Sequence, residues 1–302
     1  MQGQADRIPL AILPLLRALG DLKRVHSASR NGSIAERLFA EGWSRLVAGE
    51  DALTLVFSIV SDSLIAVRLG DLDAQTLGKA GIPGREITRI RRRALNLAAE
   101  PLDDTLRIRL LDSAVAQDTA GAPPPFVMRL AAQPRAGATC PGRGRLILEP
   151  PENHAEHCAV VAIYGVLLAP VWNARPEDVF LAGLAHHLHN ALLPDAGYAG
   201  EVLLGDWLQS ATANATRLAL RELPAAVRTR VEAACRILPD AESPEGCAFH
   251  AADTLDRVLQ LEHHLRASNT TMDFVLREME LVHAGPVKPY QDAVLARMGL
   301  AA

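Results

Sequence analysis

The chain lacks paired cysteines, a clean membrane-spanning run and an excess of positive charge. Its four cysteines lie far apart with no C-x-x-C pair, which predicts the free thiols of a reduced, cytoplasmic protein. The apolar run from Leu53 to Leu69 is interrupted by Asp62 and Arg68, so we expect no membrane-spanning helix there. A net charge of −4 over 302 residues argues against a nucleic-acid-binding surface. We therefore expect a soluble, cytoplasmic protein that acts without a membrane or nucleic acid.

Alternation of polar and apolar residues, the pattern of a half-buried strand, is also missing over any useful length. Apolar residues recur instead at helical spacing, so the sequence predicts an all-α fold. In the first half, Ser33-Ile-Ala-Glu36 has the form of a capping box, with Ser33 at the N-cap and Glu36 reaching back. Changes in composition predict a helical N-terminal domain over 1–120, a Pro/Gly-rich linker or extended segment over 121–150, and a second helical domain over 151–302.

An apolar helical pattern over residues 181–193 carries three histidines, His186, His187 and His189, and Pro194 is a natural stop for it. On a continuous helix, His186 and His189 share a face, whereas His187 points about 100° away. A buried imidazole without a partner costs on the order of 1–3 kcal/mol. Three of them on one buried helix therefore require a hydrogen-bond network or a metal ion.

Two other segments of the second half carry polar residues in apolar surroundings. His154 and His157 open an apolar helix and share a face at i and i+3. Asp253 lies in a later apolar helix, where a buried carboxylate needs a cation, a metal or several donors. An ion pair with Arg257, four residues on, is the simpler explanation for Asp253 taken alone. Together with the histidines, Asp253 becomes a candidate metal ligand.

The order of these residues resembles the HD-domain metal-dependent phosphohydrolase superfamily, and in particular its small 5′-nucleotidases. That superfamily has one His on a first helix, a His-Asp pair at the end of a second, and a lone Asp on a later helix. The resemblance covers roughly residues 150–270, and we assign the N-terminal half to no family. The matching motifs are Glu156-His157-Cys158, Gly183-Leu-Ala-His186-His187 and Ala252-Asp253-Thr-Leu255.

The resemblance implies that His157, His186, His187 and Asp253 hold a metal. His187 stands where the superfamily has Asp, so the site has one negative charge fewer than usual. Three imidazoles and one carboxylate suit Mn, Fe, Co, Ni or Zn, and would retain Mg poorly.

The resemblance also implies a proton-transfer group. Asn190 occupies the position of the usual Glu and cannot titrate, so His189 or Asp195 is expected to move the proton. Arg143 and Arg145, in the Gly-rich segment, are candidates to neutralise a phosphate. Supporting roles around the substrate or behind the ligands are expected for His154, Asn190, Glu201, Arg143 and Arg145.

The sequence thus favours a divergent HD-type hydrolase acting on a small phosphorylated molecule, with a nucleotide as one candidate. A non-catalytic HD-like signalling or binding module is an alternative, because the dyad Asp and the Glu are both replaced. An iron-dependent oxidative enzyme is another, since some relatives hold two irons in this scaffold. No histidine lies between His189 and His250, so ligands for a second metal would be short. A cavity at His186 would favour the hydrolase.

Overall fold

The protein is all-helical over residues 2–113, 121–265 and 271–300, the part that the computed structural model describes. The structure is 68% helical and has no β-strand in this part of the chain, which confirms the all-α prediction. The first half contains α1 (Gln2–Ala5), α2 (Leu13–Gly20), α3 (Ile34–Val47), α4 (Ala52–Leu69), α5 (Ala74–Lys79), α6 (Gly84–Ala98), α7 (Asp104–Ser113) and α8 (Pro125–Ala132).

The second half supplies the longest helices of the core. Both halves also contain short 3₁₀ turns, at Leu10–Ile12, Asp21–Lys23, Leu188–Ala191 and Cys235–Ile237, and a π turn lies at Phe274–Glu278. The α-helices are α9 (His154–Trp172), α10 (Pro176–Ala185), α11 (Gly197–Leu204), α12 (Trp207–Leu220), α13 (Ala225–Ala234), α14 (Pro244–Leu265) and α15 (Lys288–Arg297).

Helix α9 is the centre of the fold, because nearly every residue along it is buried. Asn153 caps its first turn and Glu156 reaches back to the cap, so the start of the helix is held firmly. Helices α3, α10 and α14 pack around it. Both α4 and α9 are long and apolar enough to cross a membrane, but 61% and 89% of these segments are buried within the fold. Such burial is compatible with core helices of a soluble protein.

One hydrophobic core runs through both halves of the chain. The ring of Trp43, in α3, packs edge-on against Phe126, in α8, with 4.9 Å between centroids. The hydroxyl of Tyr164, in α9, donates to the backbone carbonyl of Leu16, in α2. Helix α8 itself lies inside the segment 121–150 that the sequence predicts as a linker or extended. Pro125 is tolerated there because it occupies the first helical position, where no N–H is needed.

Candidate metal centre

The end of α10 turns both His186 and His187 towards one cluster. The last α-helical residue is Ala185, and His186 caps the helix through a bond from its N–H to the carbonyl of Ala182. His187 has φ −108° and ψ 20°, outside the helical range, and a 3₁₀ turn follows. The prediction of a continuous helix through residue 193 is therefore wrong. Neighbouring histidines that a helix would separate by about 100° instead have ring centroids 4.3 Å apart.

A glycine brings α10 against α9 at the level of the histidines. A Cβ placed on Gly183 would lie 2.6 Å from the Cα of Ala162 and 2.8 Å from its N. Real Cβ atoms do not approach backbone this closely, so only glycine permits this helix contact. Because Gly183 is three residues before His186, the close contact also sets the distance between His186 and α9.

We expect Gly183→Ala to lower the free energy of unfolding by about 1–3 kcal/mol, as overpacked core substitutions do. Gly42→Ala is the matched control, since its Cβ would meet α10 side chains at ordinary distances of 3.5 and 3.8 Å. That control should leave stability unchanged or raise it by about 0.4–1 kcal/mol. Chemical denaturation of both variants measures the difference, and equal stabilities would contradict the close-contact explanation.

Helices α9 and α14 supply the other two members of the cluster. His157 lies in the first turns of α9 and is fully buried. Asp253 lies in the middle of α14, and its side chain is 16% exposed. Asp256, one turn later, faces the same way and is 1% exposed. A metal ligand and a carboxylate behind it can therefore come from one helix face.

Four potential ligands converge between α9, the end of α10 and α14. The Nε2 atoms of His157 and His186 are 3.1 Å apart, and Oδ1 of Asp253 lies 3.3 Å and 3.8 Å from them. The ligand atoms of His157, His186 and His187 all lie within 4.8 Å of one another. Two ligand atoms on one zinc-sized ion, bound at about 2.0–2.2 Å, lie about 3–3.5 Å apart. The distances among His157, His186 and Asp253 therefore come close to those around a single ion, and His187 lies near the two other histidines.

Each of the three histidines is oriented by a hydrogen bond from its Nδ1. His157 donates to Asp256 at 2.7 Å, His186 to the carbonyl of Gly183 at 2.7 Å, and His187 to Oδ1 of Asn190 at 2.9 Å. A proton on Nδ1 leaves the lone pair of a neutral imidazole on Nε2, which is how metal-binding histidines are held. The Nε2 atoms of His157 and His186 and the carboxylate of Asp253 then face one another as acceptors, and a cation between them would satisfy all three.

Burial keeps the imidazole rings of His186 and His187 neutral. It lowers the pKa of His186 to about 3, and the neighbouring His157 adds to this effect. Burial also lowers the pKa of His187 well below its ordinary value. For Asp253, burial alone would raise the pKa, but the nearby His157 and the charge of Arg257 lower it overall. Neutral imidazoles beside an ionised carboxylate are the protonation states that a divalent metal requires.

A partly open cavity of about 380 Å³ adjoins the cluster. Two arginines, Arg135 and Arg257, lie in its wall, and neither was predicted from the sequence to face a substrate. Nη1 of Arg135 is buried with no hydrogen-bond partner among the described residues. Arg257, the expected ion-pair partner of Asp253, instead donates from Nη2 to the carbonyl of Leu281 at 2.6 Å. The charged residues that line the cavity are Arg135, Asp195, Glu201, Asp253 and Arg257.

Several residues predicted around the substrate lie at this cavity. His189, Asn190, Asp195 and Glu201 all contribute to its wall. Asp195 accepts from the backbone N–H of Ala136 and of Gly197, each at 2.9 Å. These bonds join the segment after α8 to the start of α11. Asp195 thereby holds together two segments that line the cavity.

The remaining predicted residues lie outside the cavity lining. His154 is fully buried and its Nδ1 donates to the carbonyl of Gln133 at 3.0 Å. Arg143 is half-exposed and pairs with Glu278 at 2.8 Å. Arg145 donates to the carbonyl of Ala136. Of the arginines near the cluster, it is Arg135 and Arg257 that line the cavity, where the sequence pointed to Arg143 and Arg145.

A second group of potential ligands behind the first already contains a cation. Glu152, His157 and Asp256 are close enough to bind a metal. Nζ of Lys23, however, lies 2.7 Å from Glu152 and 2.6 Å from Asp256. The ammonium group occupies the position that a metal would need, so this group supports His157 from behind. Neither Lys23 nor Asp256 was singled out from the sequence.

Comparison of the chain with family models, curated proteins and solved structures gives no match.

Proposed function

We propose that this protein is a divergent HD-type hydrolase that uses a divalent transition metal to cleave a phosphoester, with a nucleotide as one candidate substrate. The proposal rests chiefly on the convergence of His157, His186, His187 and Asp253. Every imidazole of this set has its Nδ1 engaged by an acceptor. Such preset histidines are typical of metal centres.

The donor set favours a transition metal over magnesium. Three imidazoles and one carboxylate suit Zn, Mn, Fe, Co or Ni, whereas Mg prefers an all-oxygen octahedron. Bound here, such an ion would lower the pKa of a water molecule and polarise a phosphoryl oxygen. His157 would hold it from the buried side, and His186 and Asp253 from the cavity side.

The charge of the cavity favours an anionic substrate. Two arginines and three carboxylates line the cavity. Its formal charge is therefore negative without a metal and becomes positive once a divalent ion is bound. Nη1 of Arg135 has no partner among the described side chains, which leaves a buried donor for a phosphoryl oxygen. A cavity of about 380 Å³ has the size of a small-molecule site.

His189 is the better candidate to move a proton. Burial lowers its pKa, so the ring is neutral near pH 7 and able to accept a proton. Asp195 already accepts two backbone N–H bonds. These bonds, with the charge of Arg135, keep its pKa low although burial alone would raise it. We therefore assign proton transfer to His189 and shaping of the wall to Asp195.

A non-catalytic, metal-stabilised module is the second candidate, and Asn190 is the observation that favours it. Its Oδ1 accepts from His187 and its Nδ2 donates to the carbonyl of Leu193 at 3.0 Å. Asn190 stands where the superfamily has its acidic group, and both of its side-chain polar atoms are taken up by structural hydrogen bonds. For either function we propose a cytoplasmic location, because all four cysteines are free.

We expect the metal-loaded protein to release inorganic phosphate from a panel of phosphomonoesters and nucleotides, and Asp253→Asn to abolish this. Arg135→Met should lower kcat/KM by about 10–100-fold, because a charged hydrogen bond to the substrate contributes about 1.5–3 kcal/mol. The measurement is phosphate release after removal of metal by a chelator and reloading with Zn, Mn, Co or Fe.

Arg143→Met is the matched control, since this half-exposed arginine pairs with Glu278 away from the cavity. It should retain the activity of the wild type. A protein that binds metal stoichiometrically but releases no phosphate with any metal would contradict the hydrolase and favour the non-catalytic module.

A further inference from the structure

Lys23 inserts an ammonium group from the N-terminal region into the core behind the metal cluster. It ends the 3₁₀ turn that follows α2, and its side chain is only 1% exposed. Nζ lies 2.6 Å and 2.7 Å from the two carboxylate oxygens of Asp256 and 2.7 Å from Oε2 of Glu152. A buried ammonium requires such pairing, because desolvation costs several kcal/mol for each ion.

Lys23 is connected to the metal cluster through Asp256. Asp256, held by the ammonium, accepts from Nδ1 of His157 at 2.7 Å. His157 in turn presents Nε2 to His186 and Asp253. The direction of the His157 ring therefore depends on a carboxylate whose own position is fixed by Lys23.

Lys23 is connected to the cavity wall through Glu152. Glu152 binds Lys23 through Oε2, and its Oε1 lies 3.6 Å from Nε of Arg135. The backbone N–H of Arg135 also donates to the carbonyl of Glu152 at 2.9 Å. One ammonium group thus stands behind both a candidate metal ligand and an arginine of the cavity wall.

We infer that Lys23 is a positioning residue for the metal centre, through which docking of the N-terminal segment and metal affinity are linked. Without its charge, the carboxylates of Asp256 and Glu152 repel each other and separate, which frees the ring of His157. If docking of the segment strengthens metal binding by some factor, bound metal strengthens docking by the same factor, because the two equilibria are linked. The inference rests on the proposed function only in requiring that the cluster binds metal.

Arg17, in the helix just before the 3₁₀ turn of Lys23, provides a matched control. It lies in α2 and makes two hydrogen bonds, of 2.9 Å and 2.8 Å, to Glu262 in α14. This ion pair also joins the N-terminal region to α14, but Arg17 is 34% exposed and makes no hydrogen bond to Asp256 or Glu152. Arg17→Met therefore removes one ion pair between the N-terminal region and α14 while Lys23 stays docked on Asp256 and Glu152.

The test is the affinity for Zn²⁺ and Co²⁺, measured by chelator competition well below the melting temperature of each variant. We expect Lys23→Met to lower affinity by about 10–100-fold, the usual effect of losing support behind a ligand, and to alter the visible spectrum of bound Co²⁺. Lys23→Met/Glu152→Gln removes one charge of each sign and so keeps a folded protein available. It should lose affinity as well, and Arg17→Met should bind like the wild type.

Wild-type affinity and an unchanged Co²⁺ spectrum in both Lys23 variants would overturn the inference while leaving the metal centre intact. An equal loss of affinity in Arg17→Met would also overturn it, because docking in general would then be responsible. A wild type that binds no metal would overturn the proposed function itself. The three failures are therefore distinguishable.

Discussion

Replacement of Lys23 by methionine is expected to lower the free energy of unfolding by about 3–5 kcal/mol, the effect of removing one partner from a buried ion pair. Methionine fills a similar volume but leaves two carboxylates without their cation, Asp256 at 1% exposure and Glu152 at 8%. Burial alone would lower the pKa of Lys23, yet these carboxylates raise it above its ordinary value. The ammonium is therefore charged in the fold at neutral pH.

Lys288→Met is the matched control for this loss of stability. Lys288 also pairs with a carboxylate, Asp292, at 2.9 Å, but its side chain is 38% exposed. Surface pairs of this kind contribute at most about 1 kcal/mol. Urea denaturation of the two metal-free variants gives the comparison. Similar losses for both lysines would mean that the buried network behind His157 contributes little to stability.

Zinc is expected to stabilise the wild type strongly against unfolding. An ion that binds only the folded state adds about 2.7 kcal/mol at roughly 100 times its Kd, and about 4 kcal/mol at roughly 1,000 times. The ligands come from α9, the end of α10 and α14, which the unfolded chain does not hold together. The stabilisation should therefore appear as an upward shift of the melting temperature that rises with zinc concentration and that a chelator reverses.

The zinc-induced shift should vanish in His186→Ala, where one ligand of the cluster is missing. His263→Ala is the control, because this histidine is 45% exposed on α14 and lies outside the cluster. It should keep the full shift. Differential scanning calorimetry with and without zinc measures both, and an undiminished shift in His186→Ala would show that zinc acts elsewhere on the protein.

Helices were predictable from the sequence because their apolar periodicity is local. The run from Leu53 to Leu69 became α4, Ala52–Leu69. Ser33 does cap α3, but Glu36 accepts from the side chain of Asn153. A partner 117 residues away decided that interaction. The capping box that did form, at Asn153 and Glu156, was not identified.

The candidate ligands were predictable by type, whereas their geometry was not. No Gly or Pro marks the end of α10 at Ala185, so the exit from the helix that turns His187 inwards left no local signal. Lys23 is one of three lysines, and only the packing of the 3₁₀ turn after α2 brings it to Asp256, 233 residues later. Arg135 likewise belongs to an irregular segment whose course is set by long-range contacts.

The most direct test of the metal centre is an anomalous difference map from crystals of the wild type soaked in zinc, recorded at the zinc absorption edge. We predict one strong peak about 2.0–2.2 Å from Nε2 of His157 and His186 and from a carboxylate oxygen of Asp253. His187 is expected as the fourth ligand. A peak among Glu152, His157 and Asp256, or no peak at the cluster, would contradict the account.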